Sequence, residues 1–267
     1  MKKSDALTGV GIVVGIGLMI WAMTMGSSLM IFWDISSVFI TIGGSFAAVL
    51  MTISGDELKK LGKVFIQAFK EDASSGLNVI TEFSNLSKKA RREGLLSLEE
   101  DITQLDDEFL KKGLQMVVDG IEPETIKEIL ELEILAMEER HKSGYGIFST
   151  WGSYAPGFGM LGTLIGLIQM LQNLTDATTI AQGMGKALIT TFYGSLLANI
   201  FCNPIAGNLA KKSAKEVGVR EMMLEGILAI QSGVNPRIVE EKLITYLEPN
   251  ERLEYLKQNQ ESSEGVA

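Results

Sequence analysis

The sequence predicts an all-α membrane protein with four transmembrane helices. A large helical cytoplasmic insertion separates the second helix from the third, and a helical tail follows the fourth. Three observations predict this. First, the apolar runs Ala6–Met25, Ile35–Ile53, Tyr154–Leu174 and Met184–Leu209 fall in or near the length of roughly 20 residues that covers a hydrocarbon core of roughly 30 Å. Second, the polar stretches between and after them repeat apolar residues at helical spacing, with no β-alternation of useful length. Third, the short connections Gly26–Asp34 and Thr175–Gly183 contain no Lys or Arg, whereas the N-terminus, insertion and tail hold all of them but Lys186. Basic residues stay on the cytoplasmic side. Both termini and the insertion are therefore expected in the cytoplasm, and the chain in the cytoplasmic (inner) membrane.

In chain order, residues 1–54 carry the first two spans. Gly9, Gly11, Gly15 and Gly17 make one side of the first span small, which suits packing against other helices. Lys2 and Lys3 lead into a run that is long and lacks an A-x-A site, so it is read as an uncleaved helix. Phe32 and Trp33 stand where aromatic belt residues often do. Asp34 opens the second span, either as an N-cap or as an entrance charge for cations.

Residues 55–149 form the insertion and hold 13 of the 24 Lys and Arg residues. Leu58, Leu61, Phe65 and Phe69 mark one helix. Pro123 opens another, with Ile126, Ile129, Leu130 and Ile134 on one face. Residues 150–210 carry the third and fourth spans, the latter ending at Lys211-Lys212. Residues 211–257 read as two helical segments parted at Gly233-Val-Asn-Pro236. Residues 258–267 read as a disordered polar end.

Composition excludes several functions. Cys202 is the only cysteine and His141 the only histidine, so neither a disulfide framework nor a zinc or haem site is expected. A net charge of −9 argues against nucleic acid. No nucleophile–base pair is visible, so no enzyme and no cofactor are expected. Gly157-Phe-Gly159-Met-Leu-Gly162 matches G-x-G-x-x-G, but it lies inside an apolar helix with no strand before it, and Asp176 comes too early for a ribose contact. These glycines, with Gly166, are expected to bring helices together.

No ionisable side chain lies deep in any span, although an ion pathway normally needs one. Either the chain moves no ion or a partner supplies the carboxylate. Polar groups remain. Thr191, Ser195, Asn199 and Asn203 recur every four residues on one face, with Thr190 beside them and Thr163 in the neighbouring span. They either bond helices together or line a path beside a partner's carboxylate. Pro204 cannot donate a backbone N–H, which leaves the Ile200 carbonyl without its usual partner. In the insertion, the run from Ala90 to Glu100 sets Arg91-Arg92 before Glu99-Glu100, and by itself reads as a solvated helix surface.

Several motifs carry a resemblance together. They are Asp34-Ile-Ser-Ser with Gly43-Gly44, Ala155-Pro-Gly-Phe-Gly-Met-Leu-Gly-Thr163, Ala187-Leu-Ile-Thr-Thr-Phe-Tyr-Gly194 with Asn199 and Asn203-Pro204, and Asn235-Pro-Arg237 with Lys242-Leu. Over nearly its whole length the chain resembles the MotA/PomA flagellar stator proteins of the MotA/TolQ/ExbB superfamily. The resemblance implies a pentameric ring around two copies of a MotB/PomB-like subunit whose membrane aspartate carries the cation, H⁺ or Na⁺. It implies contact with the rotor switch protein FliG through Arg91 and Arg92 and through Glu99 and Glu100. It places Thr163, Thr190, Thr191, Pro156 and Pro204 beside the ion path. An ExbB/TolQ-like energiser and a non-transporting membrane scaffold are the alternatives.

Overall fold

The computed structural model describes residues 4–70, 76–172 and 177–253, with residues 255 and 257. Their regular structure is helical, with no strand among them. The helices are α1 (Ser4–Thr24), α2 (Ile35–Leu50), α3 (Gly55–Phe69), α4 (Gly76–Glu93), α5 (Glu99–Gln104), α6 (Glu108–Val118) and α7 (Pro123–Leu171). A continuous run through Ala177–Leu196, Leu197–Cys202 and Asn203–Gln231 is α8, and α9 spans Pro236–Ile244. Contacts divide the chain into two units. Unit 1 is Met1–Glu71 with Arg140–Lys211, and unit 2 is Asp72–Glu139 with Lys212–Ala267.

The helix ends are explained by their caps. The Asp34 carboxylate accepts the Ser37 amide at 2.8 Å, so this residue is the expected N-cap of α2. Ser54 and Glu57 close a capping box on α3. Asp107 accepts the amides of Phe109 and Leu110 and starts α6. Pro123 stands at the first position of α7, where its missing N–H costs nothing. The tail divides where expected: Gly233 turns with φ +65°, and Asn235 and Pro236 begin α9.

Four expectations need correction. The third apolar run does not start a helix at Tyr154. It completes α7, which is unbroken from Pro123 because Gly144, Gly152 and Pro156 are all accommodated without a stop. The fourth run does not end its helix at Lys211-Lys212, since charge alone does not terminate helical hydrogen bonding; α8 continues to Gln231. The connection expected at Thr175–Gly183 is helical from Ala177, because the Ala-Thr-Thr-Ile sequence is polar in part but contains no breaker. Asp176 and the proposed disordered end 258–267 lie outside the described residues. Finally, the run Ala90–Glu100 is not one helix: Gly94 takes φ +88° and starts a 3₁₀ turn, Leu95–Leu98.

Unit 2 has a conventional core. Ile80, Phe83, Leu98, Leu110, Leu114, Ile126, Leu130, Met222, Ile227 and Leu243 are essentially inaccessible. Their spacing on α4, α6 and α7 is the helical repeat seen in the sequence. Gly226 of α8 lies against Phe83, where an added Cβ would meet the ring at 2.5 Å.

Unit 1 is organised the other way round. Large apolar side chains face outward, among them Val13, Trp21, Leu164, Ile168 and Leu188. Its interior is a seam of small and hydroxyl residues. A Cβ at Gly159 would lie 3.1 Å from the Thr191 Cα, one at Gly166 2.9 Å from the Gly183 carbonyl oxygen, and one at Gly194 2.6 Å from the Ala155 carbonyl oxygen. One at Gly162 would overlap the Thr190 side chain at 2.5 Å. Gly159, Gly162 and Gly166 of the third run thus serve helix approach, as expected, whereas Gly157 does not, since nothing lies within 4 Å of a Cβ there. Gly9, Gly11, Gly15 and Gly17 do not: nothing lies within 4 Å of a Cβ at any of them, so within this chain their small face is unpacked.

These cores predict two stability effects. Phe83→Ala should cost about 3–5 kcal/mol, read from the denaturant midpoint of the purified full chain. Gly162→Val should overpack the α7–α8 seam by about 1–3 kcal/mol or more and reduce recovery of assembled protein. Gly157→Ala should leave recovery unchanged, because the space beside Gly157 is open.

Candidate functional site

The hydroxyls of unit 1 converge on the α7–α8 seam. Thr163 of α7 donates to the Ala187 carbonyl at 2.9 Å, and Thr190 of α8 reaches the same oxygen at 2.9 Å. The Thr163 and Thr191 hydroxyl oxygens are 2.5 Å apart. Thr190 is 1% exposed, Thr163 half-buried and Thr191 exposed. The expected trio is therefore a single cluster with a graded exposure. Each hydroxyl has one proton and two lone pairs. With the Thr163 proton given to Ala187 and the Thr191 proton to Thr163, Thr191 keeps both lone pairs for an outside group. Such a neutral oxygen can coordinate a cation or order water, and cannot titrate.

The two prolines stand at different places on the seam. Pro156 lies inside α7 beside Gly194. Pro204 follows a π-helical turn, Leu197–Cys202, in α8. Its missing N–H relaxes the α-helical register upstream, and wider turns of this kind recur at functional sites. Ser195, Asn199 and Asn203 are exposed, as Thr191 is. The Asn199 amide donates back to the Ser195 carbonyl at 3.0 Å, and Asn203 covers Gly152. Two members of this polar stripe, Thr191 and Asn203, therefore meet α7, while all four keep an exposed side.

Sequence reasoning missed a second stripe. Ser37, Thr41 and Ser45 of α2 are four apart and no more than 1% exposed. Thr41 donates to the Thr190 carbonyl at 3.3 Å, and Ser45 accepts the Trp151 indole N–H at 3.0 Å. Tyr193 was also missed: its hydroxyl donates to the Phe32 carbonyl at 2.5 Å and accepts the Asp34 amide at 3.4 Å. The four-residue hydroxyl spacing in the second run was the available signal for the first. Nothing in the sequence pointed to the tyrosine's partners.

The paired charges belong to unit 2. Arg91 and Arg92 end α4, and Glu99 and Glu100 begin α5, so both pairs complement their helix dipoles. All four are exposed. Between them Gly94 reverses the chain and Leu98 anchors the turn in the core. Lys89 and Asp101 strap the two helices together at 2.7 Å, and this contact raises the Lys89 pKa. The bases and acids are thus held on neighbouring helix ends while remaining free of buried pairing.

Behind this turn is a pocket of about 280 Å³ lined by Glu82, Lys89 and Asp101 among others. Burial raises the Glu82 pKa, helped by the like charges of Asp107 and Asp106. A raised carboxyl pKa means that ionised Glu82 opposes folding, an effect complete above its folded pKa and relieved as pH falls through it. Glu82→Gln should therefore raise the denaturation midpoint at pH 7. The gain should vanish once pH drops below the ordinary value of 4.5.

Comparison with known proteins agrees with this organisation. The profile of the MotA/TolQ/ExbB proton channel family matches residues 101–222. Motility protein A of Borreliella burgdorferi is 44% identical over 90% of this chain and 92% of its own length. Chemotaxis protein PomA of Vibrio alginolyticus is 36% identical over 93% and 97%. A solved flagellar MotAB stator complex from Bacillus subtilis superposes with a TM-score of 0.86 at 35% identity, covering 96% of this chain and 99% of that one. The chain belongs to the MotA/PomA-type motility proteins of the MotA/TolQ/ExbB proton channel family.

Proposed function

We propose that this chain is the A subunit of a flagellar stator, in which ion flow across the inner membrane is converted into torque on the rotor. The observation that carries the reading is the near full-length likeness to the MotAB stator complex, in a chain whose four apolar runs contain hydroxyls but no carboxylate. α7 and α8 are long and apolar enough to cross a membrane, and α1 and α2 supply the two shorter apolar helices. This supports four spans, and the Lys and Arg distribution supports both termini and the insertion in the cytoplasm.

A MotB/PomB-like partner supplies the membrane aspartate that this chain lacks. Thr163, Thr190 and Thr191 are the oxygens beside it, and Pro156 and Pro204 shape the backbone around it. The transported ion is H⁺ or Na⁺. Copies of this chain form a ring, five by resemblance. Arg91, Arg92, Glu99 and Glu100 meet complementary charges on the rotor protein FliG. Exposed charges suit this task, because they steer repeated encounters more than they lock them.

Deleting the gene should leave flagellar filaments in place but paralysed. Swimming should return with the wild-type chain and fall severely with Arg91→Glu. Normal swimming in a background without a second stator would remove the reading. Thr191→Val should leave the assembled complex intact and cut ion flux several-fold in proteoliposomes. Loss of assembly with that variant would assign the hydroxyl to helix packing.

A further inference from the structure

α3 is amphipathic in an unusual way. One side is fixed to the rest of unit 1. Leu61, Val64 and Ala68 pack against Phe148, Ile205 and Leu209. The Asn208 amide caps the Ala68 carbonyl at 2.8 Å, and the Ser143 hydroxyl bonds the Glu57 carboxylate. That contact and Ser54 pull the Glu57 pKa down to about 2, so the tie is charged at neutral pH. Held this way, α3 turns Leu58, Phe65, Ile66 and Phe69 outward at 40%, 42%, 56% and 39% exposure. At roughly 100° per residue, Lys59 and Lys63 border this apolar strip on the side away from the packed face, and Lys60 lies beyond Lys63. All three lysines are exposed.

We infer that this face of α3 is a binding surface for anionic phospholipid, lying in the cytoplasmic interface of the membrane. The inference rests on the membrane topology proposed above. Only Met51–Ser54 separates α3 from α2, so the helix begins where the second span leaves the bilayer. Aromatic and aliphatic groups beside lysines match the acyl–headgroup boundary, with phosphates meeting the ammonium groups. Each lysine near an anionic surface changes partition by roughly fivefold. A protein partner fits less well: four partly exposed side chains offer under roughly 400 Å², whereas a stable protein interface buries about 800 Å² a side. Lys59 pairs with Asp56 at 3.3 Å, but both side chains are more than 80% exposed and the pair is too weakly held to compete.

The test uses the full chain with its partner subunit in nanodiscs of phosphatidylcholine, with or without phosphatidylglycerol. An NBD fluorophore is placed on Ile66→Cys, with the labelled wild-type chain, whose Cys202 is buried, as blank. Doxyl-labelled phosphatidylglycerol should quench it at least twofold more than doxyl-labelled phosphatidylcholine at equal mole fraction. Lys59→Gln with Lys63→Gln should bring that ratio close to one while keeping the blue-shifted emission. Water-like emission, or equal quenching by both lipids in the unsubstituted lysine background, overturns the inference. Blue-shifted emission quenched by neither lipid also overturns it and assigns the strip to another copy of the chain. A label on Val13→Cys in α1 must be quenched by both lipids. If it is not, the membrane reading itself fails, whatever Ile66 reports.

Discussion

The contact on which unit 1 depends is the close approach of α7 and α8 through glycine. In a bilayer, apolar surface gains little by leaving lipid for protein, so helices associate through packing and internal hydrogen bonds. Both need short distances. Gly159, Gly162 and Gly166 on α7, with Gly183 and Gly194 on α8, remove the Cβ atoms that would hold the backbones apart. Thr190 then occupies the space a side chain at residue 162 would fill, and its carbonyl is left for Thr41 of α2. The hydroxyl cluster is therefore a consequence of the backbone distance. Any single bond in it is worth only about 0.6 kcal/mol, too little to impose that distance by itself.

Departures from α-helical geometry lie beside this seam. α2 is π-helical at Phe39–Gly43, around the buried Thr41, and α8 at Leu197–Cys202, just before Pro204. Proline accounts for the second, since it deletes the donor that would close the last α-turn. The Asn199 side chain donates to the Ser195 carbonyl within the same region. A polar residue there has a local use as well as an outward face. The Asn199 bond stays within α8, unlike that of Thr191, whose hydroxyl is engaged with α7.

Much of this was legible in the sequence, and the part that was not has a common cause. Helix identity was readable because apolar spacing and caps are local, as at Asp34, Pro123 and Asn235-Pro236. The glycine seam was readable because four-residue spacing of small residues has one main use in an apolar helix. Helix ends were harder. Lys211-Lys212 marks a change in side-chain polarity, and that does not break backbone hydrogen bonds, so α8 continues. The turn at Gly94 escaped a local reading because its φ is set by the next segment of chain, a 3₁₀ turn that Leu98 pins in the core. The contacts of Tyr193, and which faces of α3 are packed, join residues far apart in the chain. No local pattern encodes them.

The absence of charge on the seam also has a physical sense. On the proposed reading, a cation must enter, dwell briefly and leave. A site that conducts has to bind weakly enough to release. A fixed carboxylate on this chain would hold a dehydrated cation through strong, poorly screened attraction, and in a ring it would repeat that trap at every copy. Threonine oxygens offer partial negative charge without it, and keep the same state at every pH a cell meets. The binding strength is then set by one titratable group on the partner, which can be neutralised by the ion it carries. On that reading Thr163 and Thr191 would define the place and orientation of the oxygens, and would leave the decision to bind or release to the partner's carboxylate.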